Sequence, residues 1–592
     1  MPSASAPSPP RPLLVRPRRW LACALLTAGL AGLLAGCGSG NTSGTSADPA
    51  SAVPASAVLY AGATVRPTGA QKTDALAAGK ALTHQADPYL RLLAALQTPG
   101  SPTLNFSRDV APWLGPHAGV FLSSLGSSGA LSSLLQQGLL GGSSQGQFAF
   151  GAGAAQGAIV LDTSNTGRAR SFLSAQAAHA GAHATSYRGV SYQLTSGGVA
   201  LGLVDRFVVI GSESGMHSVI ETTQGASSLA HASGYAKLLA VAPSEALAHL
   251  YTSPTNASAA GSGGASPSGD AAGEGLASVL GVLAGAHEAN VSLVTSPTSL
   301  ALDADTLTSS AQAGGLLATD PESAQALSEL PGESWLAIGL GHVGRTLNQD
   351  AQDLQGLASL GGSLTGSGQE ASAGLSIGGL LQALLTPLRA LGANNAQAKH
   401  DFASWMGSAG IFASGSNLLE LRAAVAISST NAARSHAAVS LLGEQLRKSG
   451  VAVTSASLPG TEAAIAVRLS GLPVVLYIAA GPDSNGSAKF VLGVGEASVQ
   501  TALHPPSVLG ASAPHTTAAA SLGEGIQPSL IVSFPTFLSL VEAVGLIEDQ
   551  SIAKFVPYLR AATTLVGGGH ELNSEVQRFR LVLGLQPAAA NP

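Results

Sequence analysis

The sequence predicts an α+β fold, internally duplicated, in which each half is an antiparallel sheet with helices packed on one face. Three observations predict it. Apolar runs such as Val199–Val204 and Phe207–Ile210 are short and joined by tight turns, for which Arg188-Gly189 and Ser196-Gly197-Gly198 supply the residues. Polar residues such as Asn165 then start helix-like stretches directly after strand-like ones. Four pairs of segments recur in the same order in both halves of the chain.

The pairs run as follows. Val53-Pro54 leads into Val58–Ala61, and Leu330-Pro331 leads into Trp335–Ile338, each read as a strand started by proline. Asp109 precedes Trp113 by four residues and Asp401 precedes Trp405 by four, in a chain with only four tryptophans. Ala158–Val160 reaches Asn165 and Arg168, and Ala424–Ile427 reaches Asn431 and Arg434. Phe207–Gly211 precedes Glu213, and Phe490–Gly495 precedes Glu496. Both halves finish on strands of alternating character, Ser299–Asp305 and Arg578–Leu583.

Composition bounds the function. Of 592 residues 45% are hydrophobic and only 10% charged, against about 25% charged in ordinary domains. The balance is acidic, with 33 Asp+Glu to 27 Lys+Arg, and aromatics are 4%. That disfavours nucleic acid as a partner, because such binders carry basic patches interleaved with aromatics. The two cysteines, Cys23 and Cys37, exclude a disulfide framework or a cysteine-based metal site further along.

The N-terminus reads as an export signal. Arg11, Arg16, Arg18 and Arg19 precede the apolar run Trp20–Leu34, which is too short to span a bilayer comfortably. The run ends in Leu34-Ala35-Gly36-Cys37, which resembles the bacterial lipobox. There the small residues fit the lipoprotein signal peptidase and the Cys37 thiol receives diacylglycerol, with palmitate-type chains as the anchor. Two acyl chains hold a protein firmly where one does so marginally. Residues 1–36 are thus the expected signal peptide. Residues 37–51, rich in Gly, Ser and Thr, form a tether with a mean reach of roughly 20 Å. The first repeat is expected over 52–317, with low-complexity insertions at 122–147 and 256–275, and the second over 318–592.

VPASAVLYAGATVRP (Val53–Pro67), DVAPWLG (Asp109–Gly115) and VDRFVVIGSESG (Val204–Gly215) resemble the actinobacterial lipoprotein group called domain of unknown function 3352. The resemblance covers most of the mature chain. It implies an envelope lipoprotein and carries no catalytic residues with it.

The search for chemistry yields weak signals. Gly339-Leu340-Gly341-His342-Val343-Gly344 matches G-x-G-x-x-G, but no second strand ending in Asp or Glu follows at the spacing a dinucleotide site needs. Gly142-Ser143-Ser144-Gln145-Gly146 matches the nucleophile-elbow string inside a low-complexity stretch, where composition alone accounts for it. His179 and His183 are four apart with Gly181 between them and no ligand-spaced carboxylate. His287-Glu288 and His570-Glu571 lack the second histidine of a zinc-protease motif. The Asp109/Trp113 and Asp401/Trp405 pairs read as a capped turn and a core-filling indole.

The expected function is therefore that of a lipid-anchored lipoprotein on the extracytoplasmic face of the cell membrane. It would bind or carry a ligand without catalysis. No cofactor and no metal is expected, and the partner would be an apolar molecule or an envelope protein. The alternatives are an exported serine hydrolase using Ser144 and a structural, protein-docking module of the envelope.

Overall fold

The computed structural model describes residues 46–83, 96, 103–124, 156–253, 288–307, 321–344, 403–417, 419–448, 450–468, 474–543 and 556–587. The expected signal peptide, Leu34–Cys37, Ser144, His287, Asp401 and the insertion at 256–275 lie outside the described residues. So does most of the insertion at 122–147.

Twenty strands are described. In the first part of the chain they are β1 (Leu59–Thr64), β2 (Leu114–Ser124), β3 (Gln156–Thr163), β4 (His183–Tyr187), β5 (Val190–Leu194), β6 (Val199–Val204), β7 (Phe207–Ser212), β8 (Ala248–Thr252), β9 (Ala289–Ser296) and β10 (Ser299–Leu307). The second part supplies β11 (Ser334–Leu340), β12 (Met406–Ser414), β13 (Arg422–Ser429), β14 (Ala452–Ser455), β15 (Ala463–Arg468), β16 (Val475–Pro482), β17 (Ala488–Val494), β18 (Gln527–Ser533), β19 (Ala562–Glu571) and β20 (Val576–Leu585).

All of them join one antiparallel sheet. From one edge to the middle the order is β4-β5-β6-β7-β3-β2-β1-β8-β9-β10. From the middle to the other edge it is β20-β19-β18-β11-β12-β13-β17-β16-β15-β14. The join is the β10–β20 pair, in register from Ser299 opposite Gly584 to Leu307 opposite Val576. This corrects the expectation of two halves with a sheet each. The last strands of the two halves hydrogen-bond to one another, so the chain builds one continuous sheet, and an internal duplication does not follow from it.

The second correction concerns the helices: α1 (Gly69–Thr83), α2 (Thr166–His179), α3 (Glu213–Thr223), α4 (Ser233–Val241), α5 (Pro321–Ser328), α6 (Ala432–Lys448), α7 (Glu496–Leu503), α8 (Ala513–Leu522), α9 (Phe534–Ala543) and α10 (Val556–Ala561). They cover both faces of the sheet. On β7, Val208 and Ile210 point to the cluster around Trp113 and α2, while Phe207 and Val209 point to Met216 and Ile220 of α3. On β13, Val425 and Ile427 face Trp405 and Leu442 of α6, while Ala424 and Ala426 face Leu503 of α7 and Leu522 of α8. Burial on both faces removes the alternation of a one-sided sheet and leaves near-continuous apolar strands. Phe207–Ser212 is buried at every position.

Local signals acted as their chemistry dictates. Asn165 Oδ1 accepts the Arg168 N–H at 3.0 Å, and Asn431 Oδ1 accepts the Arg434 N–H at 3.0 Å, at the starts of α2 and α6. Arg188 and Gly189 adopt positive φ (44° and 80°) in the two-residue β4–β5 turn, as a tight hairpin requires. The prolines are placed differently from expectation. Pro54 and Pro331 precede β1 and β11 and form isolated bridges with Ser228 and Val508. The segment before β1 is a strap laid on the sheet. Asp48 caps a single 3-10 turn, Pro49–Ser51, and Ala50, Ala52, Val53 and Ala57 are fully buried. Val53 O accepts the Leu229 N–H at 2.7 Å.

Asn165→Ala is expected to cost about 1 kcal/mol of stability, read as a lower urea midpoint at unchanged slope.

Candidate functional site

Register builds an unusual feature in the middle of the sheet. On the face covered by α4 and α8, two rows of polar residues cross neighbouring strands. One row runs Tyr60, Tyr251, Asn290, Asp305, Arg578, His570. The other runs Gly62, His249, Ser292, Asp303, Arg580, Gly568. Each neighbour in a row is the cross-strand partner of the next, so the side chains stand side by side.

At the centre are two forked ion pairs. Arg578 binds Asp305 through Nε (2.7 Å) and Nη2 (2.9 Å), and Arg580 binds Asp303 through Nε (2.6 Å) and Nη2 (2.6 Å). Both carboxylates are completely buried. Each arginine also reaches a helix end. Arg578 Nη2 donates to Val241 O at 2.7 Å, and Arg580 Nη1 donates to Leu522 O at 3.1 Å. Val241 and Leu522 close α4 and α8, where carbonyls lack partners and positive charge is favoured. Burial pushes the Asp305 carboxyl up, and the Arg578 charge opposes that shift.

Beside this pair lies an aromatic pocket around His249. Its Nε2 is 2.9 Å from Tyr235 Oη, and its ring lies 5.6 Å from that of Tyr60. Gly62 is required here, because a Cβ at that position would run into the His249 ring. Burial lowers His249 to about 4, holding it neutral, and raises Tyr60, Tyr235 and Tyr251. Three buried polar atoms of the first row, Tyr60 Oη, Asn290 Oδ1 and His570 Nδ1, lack a well-formed hydrogen bond. Among the described residues the seam is thus a network of paired charges, phenols held unionised by burial and two imidazoles, His249 and His570, whose proton affinity burial lowers.

Other constellations are also accounted for by structure. Ser228 Oγ lies 2.8 Å from His231 Nδ1 at an open pocket of about 490 Å³ that Ser51 and Thr222 also line. The two are three residues apart in one turn, and among the described residues no acid is bonded to the imidazole to complete a relay. Ser428 Oγ lies 3.2 Å from Lys489 Nζ, which is also ion-paired with Glu329 at 2.7 Å and Asp483 at 3.7 Å. On β5, Tyr192 Oη bonds Glu213 at 3.0 Å and His217 Nε2 at 2.9 Å, both on α3, and burial with Glu213 pushes Tyr192 up to about 12.

The motifs noted in the sequence resolve similarly. In Gly339–Gly344, β11 is flanked by antiparallel β12 and β18, which excludes a parallel dinucleotide-binding unit. A Cβ on Gly339 would strike the Ser323 carbonyl of α5, and one on Gly344 the Ala403 carbonyl. The glycines admit the chain's own backbone, leaving no cradle for a phosphate. His179 ends α2 and His183 begins β4 beyond a turn at Gly181, so they share no helix face. Among the described residues no group of three or more His, Cys, Asp or Glu is placed to hold a metal. Trp113 is buried and its Nε1 donates to Asp109 O at 2.9 Å, while the Asp109 carboxylate receives the Asn105 N–H at 2.8 Å. Trp405 packs on Phe490.

Of the seam's strands the sequence marked β1, β10 and β20 but not β8, β9 or β19, and Asp303, Asp305, Arg578, Arg580 and His249 were not among its candidate residues. The signal was present as Asp-x-Asp and Arg-x-Arg within apolar strands.

Two predictions follow from the seam's energetics. Arg580→Met leaves the buried Asp303 carboxylate with only the longer contact to Arg578 Nη1, at 3.6 Å, and is expected to destabilise the fold by about 3 kcal/mol, whereas Asp303→Leu with Arg580→Leu recovers most of the loss, both read by urea denaturation. His249 binds a proton near pH 6.5 when unfolded and near 4 when folded. Its contribution is complete above pH 6.5 and is lost as pH falls towards 4, by about 3 kcal/mol in all. Substituting His249→Phe is expected to flatten that part of the stability–pH curve.

No curated protein and no solved structure gives a significant match to the chain. Residues 20–464 match a family model described as a protein of unknown function. With three quarters of its length matched, the chain belongs to the DUF3352 family.

Proposed function

We propose that this protein is exported, cut before Cys37 and lipidated there, and that it acts as a non-catalytic binding lipoprotein on the extracytoplasmic face of the cell membrane. The observation that carries the reading is Leu34-Ala35-Gly36-Cys37 closing an arginine-led apolar run. Cys37 lies eleven residues before Asp48, the cap of the buried strap. Eleven residues span at most about 37 Å, so a lipid at Cys37 would hold the sheet against the membrane surface. Among the described residues no helix is long and apolar enough to cross a membrane. The binding reading draws support from the pairing of the seam's charges with one another.

The test compares wild type with Cys37→Ser in a cell that processes lipoproteins. Wild type is expected in the membrane fraction with a diacylglyceryl N-terminus by mass spectrometry, and the variant in the soluble exported fraction. Recovery of both forms in the membrane would overturn the anchor. Native mass spectrometry of the soluble variant then reads the binding function. A stoichiometric co-purifying small molecule supports ligand carriage, and a clean mass excludes tight carriage.

A further inference from the structure

We infer that the open edge of the sheet at β14 is a docking site for an extended acidic polypeptide segment. Among the described residues β14 pairs only with β15. The Ala456 N–H donates to Ala464 O at 3.0 Å, just beyond the strand. Antiparallel ladders alternate, so the N–H and C=O of Ala452 and Thr454 also face β15, and those of Val453 and Ser455 face outward. Val453 O receives only a long contact from Arg447 Nε, at 3.5 Å. An added strand would find both backbone groups of Ser455 and the N–H of Val453 turned towards it.

The charges around this edge choose the occupant. Arg447 and Lys448 end α6 on one face of the sheet. Arg468 ends β15 opposite Ala452. Its neighbour Val467 packs towards α6, so Arg468 points to the other face. None of the three forms an ion pair among the described residues, and neither does Glu444, the acid one turn earlier on α6. Three cations thus straddle an open strand edge in a chain with an excess of acid. A segment added by β-pairing would place neighbouring carboxylates, which point to opposite faces, within reach of both sets. A second copy of this chain would bring the same three cations and be repelled.

The opposite edge differs. There Arg188, next to β4, is neutralised by Glu221 at 3.1 Å and lies over the Tyr187 ring. The charge argument therefore singles out β14.

The test is fluorescence anisotropy of the purified full chain with a labelled heptapeptide, Thr-Glu-Glu-Thr-Glu-Glu-Thr, whose adjacent glutamates face both sides of an added strand, against the same peptide with Lys for Glu. Saturable, salt-sensitive binding of the acidic peptide alone is expected. Ser455→Pro removes one outward N–H and leaves the β15 ladder intact, and is expected to weaken binding about fivefold or more. Arg447→Glu with Lys448→Glu and Arg468→Glu is expected to abolish it. Circular dichroism verifies the fold of each variant. If Ser455→Pro unfolds the protein, a peptide methylated on alternate amide nitrogens tests the backbone pairing instead. Equal binding of both peptides, no binding up to millimolar concentration, or binding insensitive to both the proline and the methylation would overturn the proposal. In the last case the patch is a simple anion site.

Discussion

Two arginines hold the middle of the sheet together. Arg578 and Arg580 stand directly across from Asp305 and Asp303, 273 and 277 residues away in the chain. A buried ion pair adds little net stability, because desolvating the charges cancels much of their attraction. Its effect here is on register. On the other face of the same strands, Leu300 and Leu583 pack in an apolar cluster with Leu293. A slip of one residue in either strand would turn its two charges into that cluster and its leucines out of it. The pairs therefore fix how β10 meets β20. Their remaining N–H groups fix where α4 and α8 end over the join.

Everything outward from that join is packed on both faces, and this explains several features that otherwise resemble chemistry. A strand covered on both sides needs small residues wherever a helix or a large ring comes close. Gly339 lies under α5, Gly119 against Tyr60, and Gly62 against His249. A glycine-rich string after a strand is thus produced by packing as readily as by a nucleotide. The distinction rests on what fills the space of the missing Cβ, and at Gly339 and Gly344 that is a backbone carbonyl.

Features governed by neighbouring residues were legible in the sequence. The two asparagine caps, the Arg188-Gly189 turn and the buried tryptophans each depend on a few adjacent residues, and all were found as their chemistry suggests. Single or double coverage of the sheet was legible in principle. Phe207–Ser212 and Ala423–Ile427 are unbroken apolar runs, which signal burial on both faces, and a one-sided sheet would have shown polar residues at alternate positions. The seam could not be assembled from local pattern. Its rows exist only once β8, β9, β10, β20 and β19 are aligned, and the sequence carries no local mark of which strand meets which. The charged alternation of Asp303/Asp305 and of Arg578/Arg580 was its one trace. Two strands with inward charges of opposite sign are each other's best partners, since neither can bury its charges alone.

The distribution of satisfied and unsatisfied groups then divides the molecule by role. In the middle, guanidinium, carboxylate and helix-end carbonyl are bonded to one another, so an outside partner would have to break strong contacts to gain weaker ones. At the edges the balance reverses. The β4–β5 hairpin meets β6 over a short ladder, Gln193 opposite Leu201 and Leu194 opposite Ala200, closed by the Thr195 N–H on Val199 O, and β14 is four residues long. Backbone groups there face outward, and a partner that pairs with them replaces water without disturbing the sheet. An open sheet whose centre is locked by its own charges can therefore bind along its edge at little conformational cost, and the cations beside β14, which form no ion pair among the described residues, give that edge a preference for acid.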